Sequence, residues 1–307
     1  MKKRLSYFGT FVAVFFALMG SLAGTASART ALVFQSDFGL RDGSVACMKG
    51  VAFGVDASLP IFDITHEIPE YSIWDASYRL LQTVGFWPAG TVFVSVVDPG
   101  VGTDRRSVVA KTRSGHYIVT PDNGTLTFIE SSVGLEEVRT IDETRYRRLG
   151  SEQSYTFYGR DLYALAGAKL ASGAISFADV GPVLSGPVVR IPHRKAEAKN
   201  GVLFGTIPVI DVRYGNVWST IGKPLFDTLK PVDGAKFEVT ILNDGKEVYR
   251  GVVPYANTFG DVPEGEPLLY LNSMMNLSLA LNMSSFAEEH GISSGPEWSV
   301  VVRPEKK

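Results

Sequence analysis

The run Thr91-Val-Phe-Val-Ser-Val-Val97 is almost continuously apolar. A strand that does not alternate must be covered on both faces, which is the condition of a parallel sheet between helix layers. The neighbouring segments fit such a sheet. Ala31–Ser36, Ile61–Ile64, Ser107–Thr112 and His116–Thr120 read as further short strands. Val45–Val55 and Asp161–Ala171 read as helices. Ser72–Phe86 carries Ile73, Ala76, Leu80, Leu81 and Val84 at helical spacing. This alternation predicts an α/β domain with a largely parallel sheet over residues 29–192.

A break rich in Pro, Gly and charge follows at Pro182–Asn200, and the pattern then changes. Val202–Val209, Lys236–Leu242, Val248–Val253, Leu268–Leu271 and Trp298–Val302 are short β-type runs, and Asn243-Asp-Gly245 is a hairpin turn signal. A smaller β-rich domain is expected over 193–307. No internal repeat or low-complexity stretch interrupts either part.

The first segment is set apart from the fold. Lys2, Lys3 and Arg4 precede an apolar run from Phe8 to Ala23, and Ala26-Ser27-Ala28 forms a small-residue cleavage site. That order predicts a secretory signal peptide over residues 1–28, and hence a periplasmic or secreted protein without a membrane span once the segment is removed. Taking those 28 residues from 307 leaves 279, and taking their three positive charges from the chain's net −2 leaves about −5. A mildly acidic chain of this kind is a poor match for nucleic acid or anionic lipid.

The one cysteine, Cys47, excludes an intramolecular disulfide; among Val45, Ala46 and Met48 it reads as a buried structural thiol. The four histidines are far apart, and no HExxH, CxxC, GxGxxG or GxxxxGK[ST] pattern is present. No metal site and no phosphate cradle is therefore expected.

In an open α/β sheet, ligands bind beyond the carboxyl ends of the strands. Three strand ends here are polar: Asp37, Asp98 and Asp122-Asn123. Each alone reads as a turn. Together at one sheet edge they point to an acidic pocket. Asp98 also has Arg105 and Arg106 seven and eight residues on. The glycines of Pro99-Gly-Val-Gly102 would let the loop fold back and pair an arginine with the carboxylate. Pattern alone leaves the chemistry of that pocket open.

Six motifs in order carry a resemblance. They are Ser36-Asp-Phe-Gly39, Asp42-Gly-Ser44, Asp98-Pro-Gly-Val-Gly-Thr-Asp-Arg-Arg106, Pro121-Asp-Asn-Gly124, Thr156-Phe-Tyr-Gly-Arg-Asp161 and Tyr214-Gly-Asn-Val-Trp218. Through them the chain resembles, from about Ala31 to Val302, the S-adenosylmethionine hydroxide adenosyltransferases, relatives of fluorinase and chlorinase. The resemblance implies an α/β domain followed by a β-barrel. It also implies a homotrimer with each active site between neighbouring subunits, and hydrolysis of S-adenosylmethionine to adenosine and L-methionine without a cofactor. By position, Asp98 and Arg105 would orient and polarise the attacking water. Asp37 would hold the ribose hydroxyls. Asp42, Ser44, Asp211 and Ser273 would lie around the methionine end. Tyr71, Phe157, Tyr214 and Phe259 would wall the ribose and adenine site, with Asn123 at the substrate and Asn216 bonded to adenine.

The sequence departs from that pattern at three places. Tyr158 stands where the hydrolases usually have His, and a phenol with a pKa of about 10 is not a base near neutral pH. Tyr158 and Gly159 raise a halide-using, chlorinase-like alternative, which a carboxylate at Asp98 opposes. Met274 replaces a polar or cationic residue. Export would also separate the protein from cytoplasmic S-adenosylmethionine, so a non-catalytic exported adenosine-binding protein is a further alternative.

Overall fold

A computed structural model describes residues 30–306; the expected signal peptide lies outside the described residues. The first half runs β1 (Leu32–Ser36), α1 (Ser44–Val55), β2 (Ile61–Thr65), α2 (Ile73–Val84), β3 (Val92–Val96), β4 (Ser107–Thr112), β5 (Tyr117–Pro121), α3 (Thr127–Ser132), β6 (Leu135–Thr140), α4 (Glu143–Tyr146) and α5 (Ala164–Ala171). A π-helical turn, Gly159–Tyr163, leads directly into α5. The six strands form one sheet in the order β2-β1-β3-β5-β4-β6. β2, β1, β3 and β5 pair in parallel, and β4 is antiparallel to both of its neighbours.

β3 is apolar throughout because both of its faces are covered. Val92, Val94 and Val96 pack with Met48 and Ala52 of α1 and Ala164 and Ala168 of α5. Phe93, pointing the other way, packs with Leu80 and Val84 of α2 and Leu126 and Ile129 at α3. All five residues of β3 are buried. At about 25 cal/mol per Å² of apolar area, such two-sided burial stabilises this strand more than any edge strand of the sheet. Edge strand β2 is only partly covered.

One expectation is corrected. Cys47 is exposed. In α1 the buried face carries Val45, Met48 and Ala52. Successive residues of a helix point about 100° apart, so apolar neighbours in sequence do not imply burial.

The second half is antiparallel. It comprises β7 (Glu197–Lys199), β8 (Val202–Ile207), β9 (Val209–Ile210), β10 (Val217–Gly222), β11 (Lys236–Asn243), β12 (Lys246–Pro254), β13 (Pro267–Leu271), β14 (Asn276–Leu281) and β15 (Gly295–Pro304). They form two sheets, β13-β14-β10-β9 and β12-β11-β15-β8-β7. Both sheets contribute to one core, including Val217, Leu269 and Leu279 from one and Leu203, Val239 and Val300 from the other. Asn243 pairs with Lys246 across the expected hairpin turn, where Asp244 and Gly245 have φ of 47° and 77°. Positive φ at both central residues marks the tight turn that matches strand twist. The two halves of the chain meet through Trp74, Tyr78 and Phe128 packed with Val209 and Trp218, and the Trp74 indole N–H donates to the Pro208 carbonyl at 2.8 Å.

Candidate active site

From β1 the chain crosses to β2 on one side, then returns to place β3 on the other side of β1. A crevice forms outside the carboxyl ends at such a switch point. Asp37 follows β1 and Asp98 lies two residues beyond β3, and both line one cleft of about 320 Å³. Tyr71, Phe157 and Tyr158 line it too, so five of the residues singled out in the sequence converge there. Phe38, Glu70, Val101 and Thr156 also line it and were missed. Phe38, Val101 and Thr156 lie within the motifs of the resemblance and Glu70 precedes Tyr71, but nothing in their own spacing marks them as lining residues.

The Asp98 loop folds back as its glycines suggested. Arg105 Nε donates to Asp98 Oδ1 at 2.8 Å and Nη2 to Oδ2 at 2.5 Å, a two-pronged ion pair with side chains only 10% and 5% exposed. Gly102 makes the bend possible. Its φ is +79°, and a Cβ there would sit 2.8 Å from the Tyr155 carbonyl oxygen. Burial alone would lower the Arg105 pKa. The Asp98 hydrogen bond, with the negative charges around it, outweighs that and raises it, so the guanidinium stays charged. Arg106 takes a different course and pairs with Asp122, which also accepts from the Val189 N–H at 2.8 Å.

Asp37 Oδ2 accepts the Tyr71 backbone N–H at 2.9 Å. Tyr71 holds φ of 66°, a left-handed conformation unusual for an aromatic residue, with its ring exposed. Burial raises the Asp37 pKa. The Tyr71 N–H opposes this, and the charges of Glu70 and Asp98 add to it. Tyr158 is 6% exposed, with the Arg105 guanidinium 4.8 Å from its ring centroid. At Gly159 a Cβ would lie 3.1 Å from both Met48 Sδ and a Phe38 ring carbon, so the glycine answers to packing there.

A second cleft, of about 790 Å³, lies in the second half of the chain. Asp211, Tyr214, Asn216 and Phe259 line it. Asp211 Oδ1 accepts the backbone N–H of Arg213 and of Tyr214 at 3.0 and 3.3 Å, which shapes the loop before β10. Asn216 is buried, whereas Tyr214 and Phe259 present exposed rings.

Five residues singled out in the sequence line neither cleft: Arg105, which lies behind Asp98 as its partner, and Asp42, Ser44, Asn123 and Ser273. Asp42 Oδ1 accepts the Ser44 N–H at 2.8 Å beside the start of α1, and that bond lowers its pKa. Asn123 donates to the Val97 carbonyl at 2.9 Å and accepts from Thr125, so its amide fixes the end of β3. Ser273 is exposed. Met274 packs against the Trp74, Tyr78 and Trp218 cluster, which gives an apolar side chain there a structural reason. Among the described residues no three His, Cys, Asp or Glu side chains are grouped to hold a metal ion.

Comparisons with known proteins identify the family of the chain. Residues 32–181 match the family model of the SAM hydroxide adenosyltransferase N-terminal domain, and residues 205–299 match that of the C-terminal domain. An (R)-S-adenosyl-L-methionine hydrolase from Salinispora arenicola is 32% identical over 270 residues, covering 88% of this chain and 97% of its own. A fluorinase from an Actinoplanes species is 29% identical over 289 residues, covering 86% and 95%. A crystal structure of an uncharacterized conserved protein from Thermotoga maritima aligns with a TM-score of 0.81 at 31% identity, over 89% of this chain and 99% of the other. The chain belongs to the SAM hydroxide adenosyltransferase family.

Proposed function

We propose that this protein splits S-adenosylmethionine with water into adenosine and L-methionine. The observation that carries the reading is the buried, two-pronged Asp98–Arg105 pair, whose Asp98 lines the same cleft as Asp37. In this reaction a water oxygen bonds to the ribose 5′ carbon as the carbon–sulfur bond breaks. The bonding electrons go to sulfur, which leaves as a neutral thioether. No general acid is needed, and the electrophile brings its own positive charge, so the chemistry calls for no cofactor and no metal. The protein must supply an oriented, desolvated water. Asp98 accepts a hydrogen bond, and then the proton, from that water. Arg105 keeps N–H groups for the oxygen beyond those given to Asp98 and favours its developing negative charge. Asp37 accepts the two ribose hydroxyls.

The charge of the first cleft supports a cationic substrate. Asp37, Glu70 and Asp98 all line it. Carboxylates attract a sulfonium and repel a halide, which favours water over the halide-using alternative that Tyr158 raised. The relatives' names support the same reaction: the Salinispora protein is an S-adenosyl-L-methionine hydrolase.

The reading extends to assembly. The nucleoside walls Tyr214, Asn216 and Phe259 belong to a different cleft from Asp98 and Asp37. A homotrimer in which the first cleft of one subunit faces the second cleft of the next would complete the site. The two antiparallel sheets with their shared core are then the barrel part, the α/β part spans 29–192, and the β part spans 193–307. Asp42, Ser44, Asn123 and Ser273 would join the substrate only in that assembly. The basic and apolar start of the chain supports export to the periplasm or beyond, with S-adenosylmethionine as partner and neither nucleic acid nor membrane. The test is incubation of the purified protein lacking residues 1–28 with S-adenosylmethionine. Equal amounts of adenosine and methionine, unchanged by chloride, are expected; a 5′-chloro product, or none, overturns the proposal.

A further inference from the structure

Behind the Asp98–Arg105 pair lies a connected set of polar groups that leads back to Tyr158. Arg105 Nη1 donates to Ser107 Oγ at 3.0 Å. Ser107 Oγ donates to Glu143 Oε1 at 3.0 Å and lies 3.2 Å from the Tyr163 hydroxyl. Glu143 Oε2 accepts from Arg147 Nη2 at 3.5 Å. The Arg147 guanidinium lies 4.6 Å from the Tyr158 ring centroid, beside the 4.8 Å approach of Arg105. The path therefore closes on itself through Arg105, Ser107, Glu143, Arg147 and Tyr158.

We propose that Glu143 and Arg147 are positioning residues for the reaction, holding Arg105 and Tyr158 at the cleft. Two guanidinium cations against one ring repel each other, and Glu143 is the anion linked to both. The Arg147 side chain is 12% exposed and is itself anchored, with Nη1 donating to the carbonyls of Ser151 and Ser154 at 3.3 and 2.8 Å. Its place therefore follows from the loop leading to Tyr158 rather than from solvent chance. Ser107 and Tyr163 are buried, so their mutual contact has no water to replace it, while the Glu143 carboxylate at the outer end of the path is partly exposed. Glu143 sits on the short helix α4, which Asp142 caps by accepting the Thr144 N–H at 3.1 Å. Neither Glu143 nor Arg147 lines the cleft; they act through Tyr158, which does, and through Arg105, which holds the cleft's Asp98.

The inference rests on the proposed hydrolysis for its kinetic consequence but not for its structural one. Glu143→Gln keeps the shape and removes the charge; Arg147→Met removes the cation and Arg147→Lys restores it. With active wild-type protein, Glu143→Gln and Arg147→Met are expected to lower kcat roughly 10- to 100-fold, since small misplacements of reacting groups have costs of this size. KM should stay within about twofold, and Arg147→Lys should recover part of the loss. A crystal structure of Glu143→Gln should show the Arg105 guanidinium moved away from Ser107 or from the Tyr158 ring. If wild type releases no adenosine, the proposed function fails, and the position of Arg105 in that crystal structure still decides this inference. Arg105 unmoved in Glu143→Gln, kcat unchanged, or a loss confined to KM or matched by loss of folded protein would overturn it.

Discussion

Burial raises the pKa of Asp37 above its ordinary value, against the Tyr71 N–H and with the charges of Glu70 and Asp98. A carboxyl whose folded pKa is raised gives a stability contribution that is present below its unfolded pKa and lost as pH rises through the folded one. At neutral pH the ionised Asp37 therefore works against the fold while serving the ligand. Asp37→Asn should keep or raise Tm at pH 7, yet weaken adenosine binding by about tenfold or more, the scale of a lost charged hydrogen bond. Thermal melting beside calorimetric titration with adenosine tests both halves; a lower Tm with unchanged affinity would contradict the account. The same pKa shift predicts that adenosine affinity falls with decreasing pH sooner than an ordinary aspartate would allow. At this scale the sequence disclosed Asp98 and Arg105, because their spacing and two glycines imply a fold-back. It did not disclose Glu143 or Arg147: their i,i+4 spacing allows a pair on one helix, but their links to Ser107 and Tyr158 depend on how other segments fold. Cys47 misled because its apolar neighbours face other directions of α1.

Elements were legible where one physical cause dominates. β3 is apolar on both faces because helices cover both, and the Asn243-Asp-Gly turn is set by positive φ at its central residues. β6, β7, β10 and β14 are not marked by the sequence, and β7 falls inside the segment that reads as a break. β6 is charged and only partly covered, and the first residues of β10 were absorbed into the motif ending at Trp218. β14 begins at Asn276, directly after the left-handed Met275 at φ 58°, which breaks the run. The π-helical turn at Gly159–Tyr163 was also hidden inside an apolar helical segment, although it is what joins Tyr158 to α5. In α5, Gly167 allows close approach to the sheet: a Cβ there would lie 2.5 Å from Val94 Cγ2 and 3.4 Å from Leu32 Cδ1. Gly167→Ala should therefore cost about 1–3 kcal/mol despite the better helix propensity of Ala. Urea denaturation measures this, and a stabilised variant would refute the packing argument.

At the scale of the whole molecule, nine of the residues that the sequence groups by resemblance divide between two clefts on different halves of the chain, five in one and four in the other. No spacing rule discloses such a division, because it depends on where the second half folds relative to the first. If neighbouring subunits share each site, Asp98→Ala and Asn216→Ala variants, each inactive alone, should regain activity when mixed under conditions of subunit exchange. Sites built within one chain would give no recovery. The central claim is tested most directly by product analysis of wild type and Asp98→Ala side by side with S-adenosylmethionine. The account predicts adenosine and methionine in equal amounts from wild type, independent of chloride, and a loss of rate on the order of 100-fold or more in Asp98→Ala. Adenosine release that survives the substitution, or none from wild type, would contradict it.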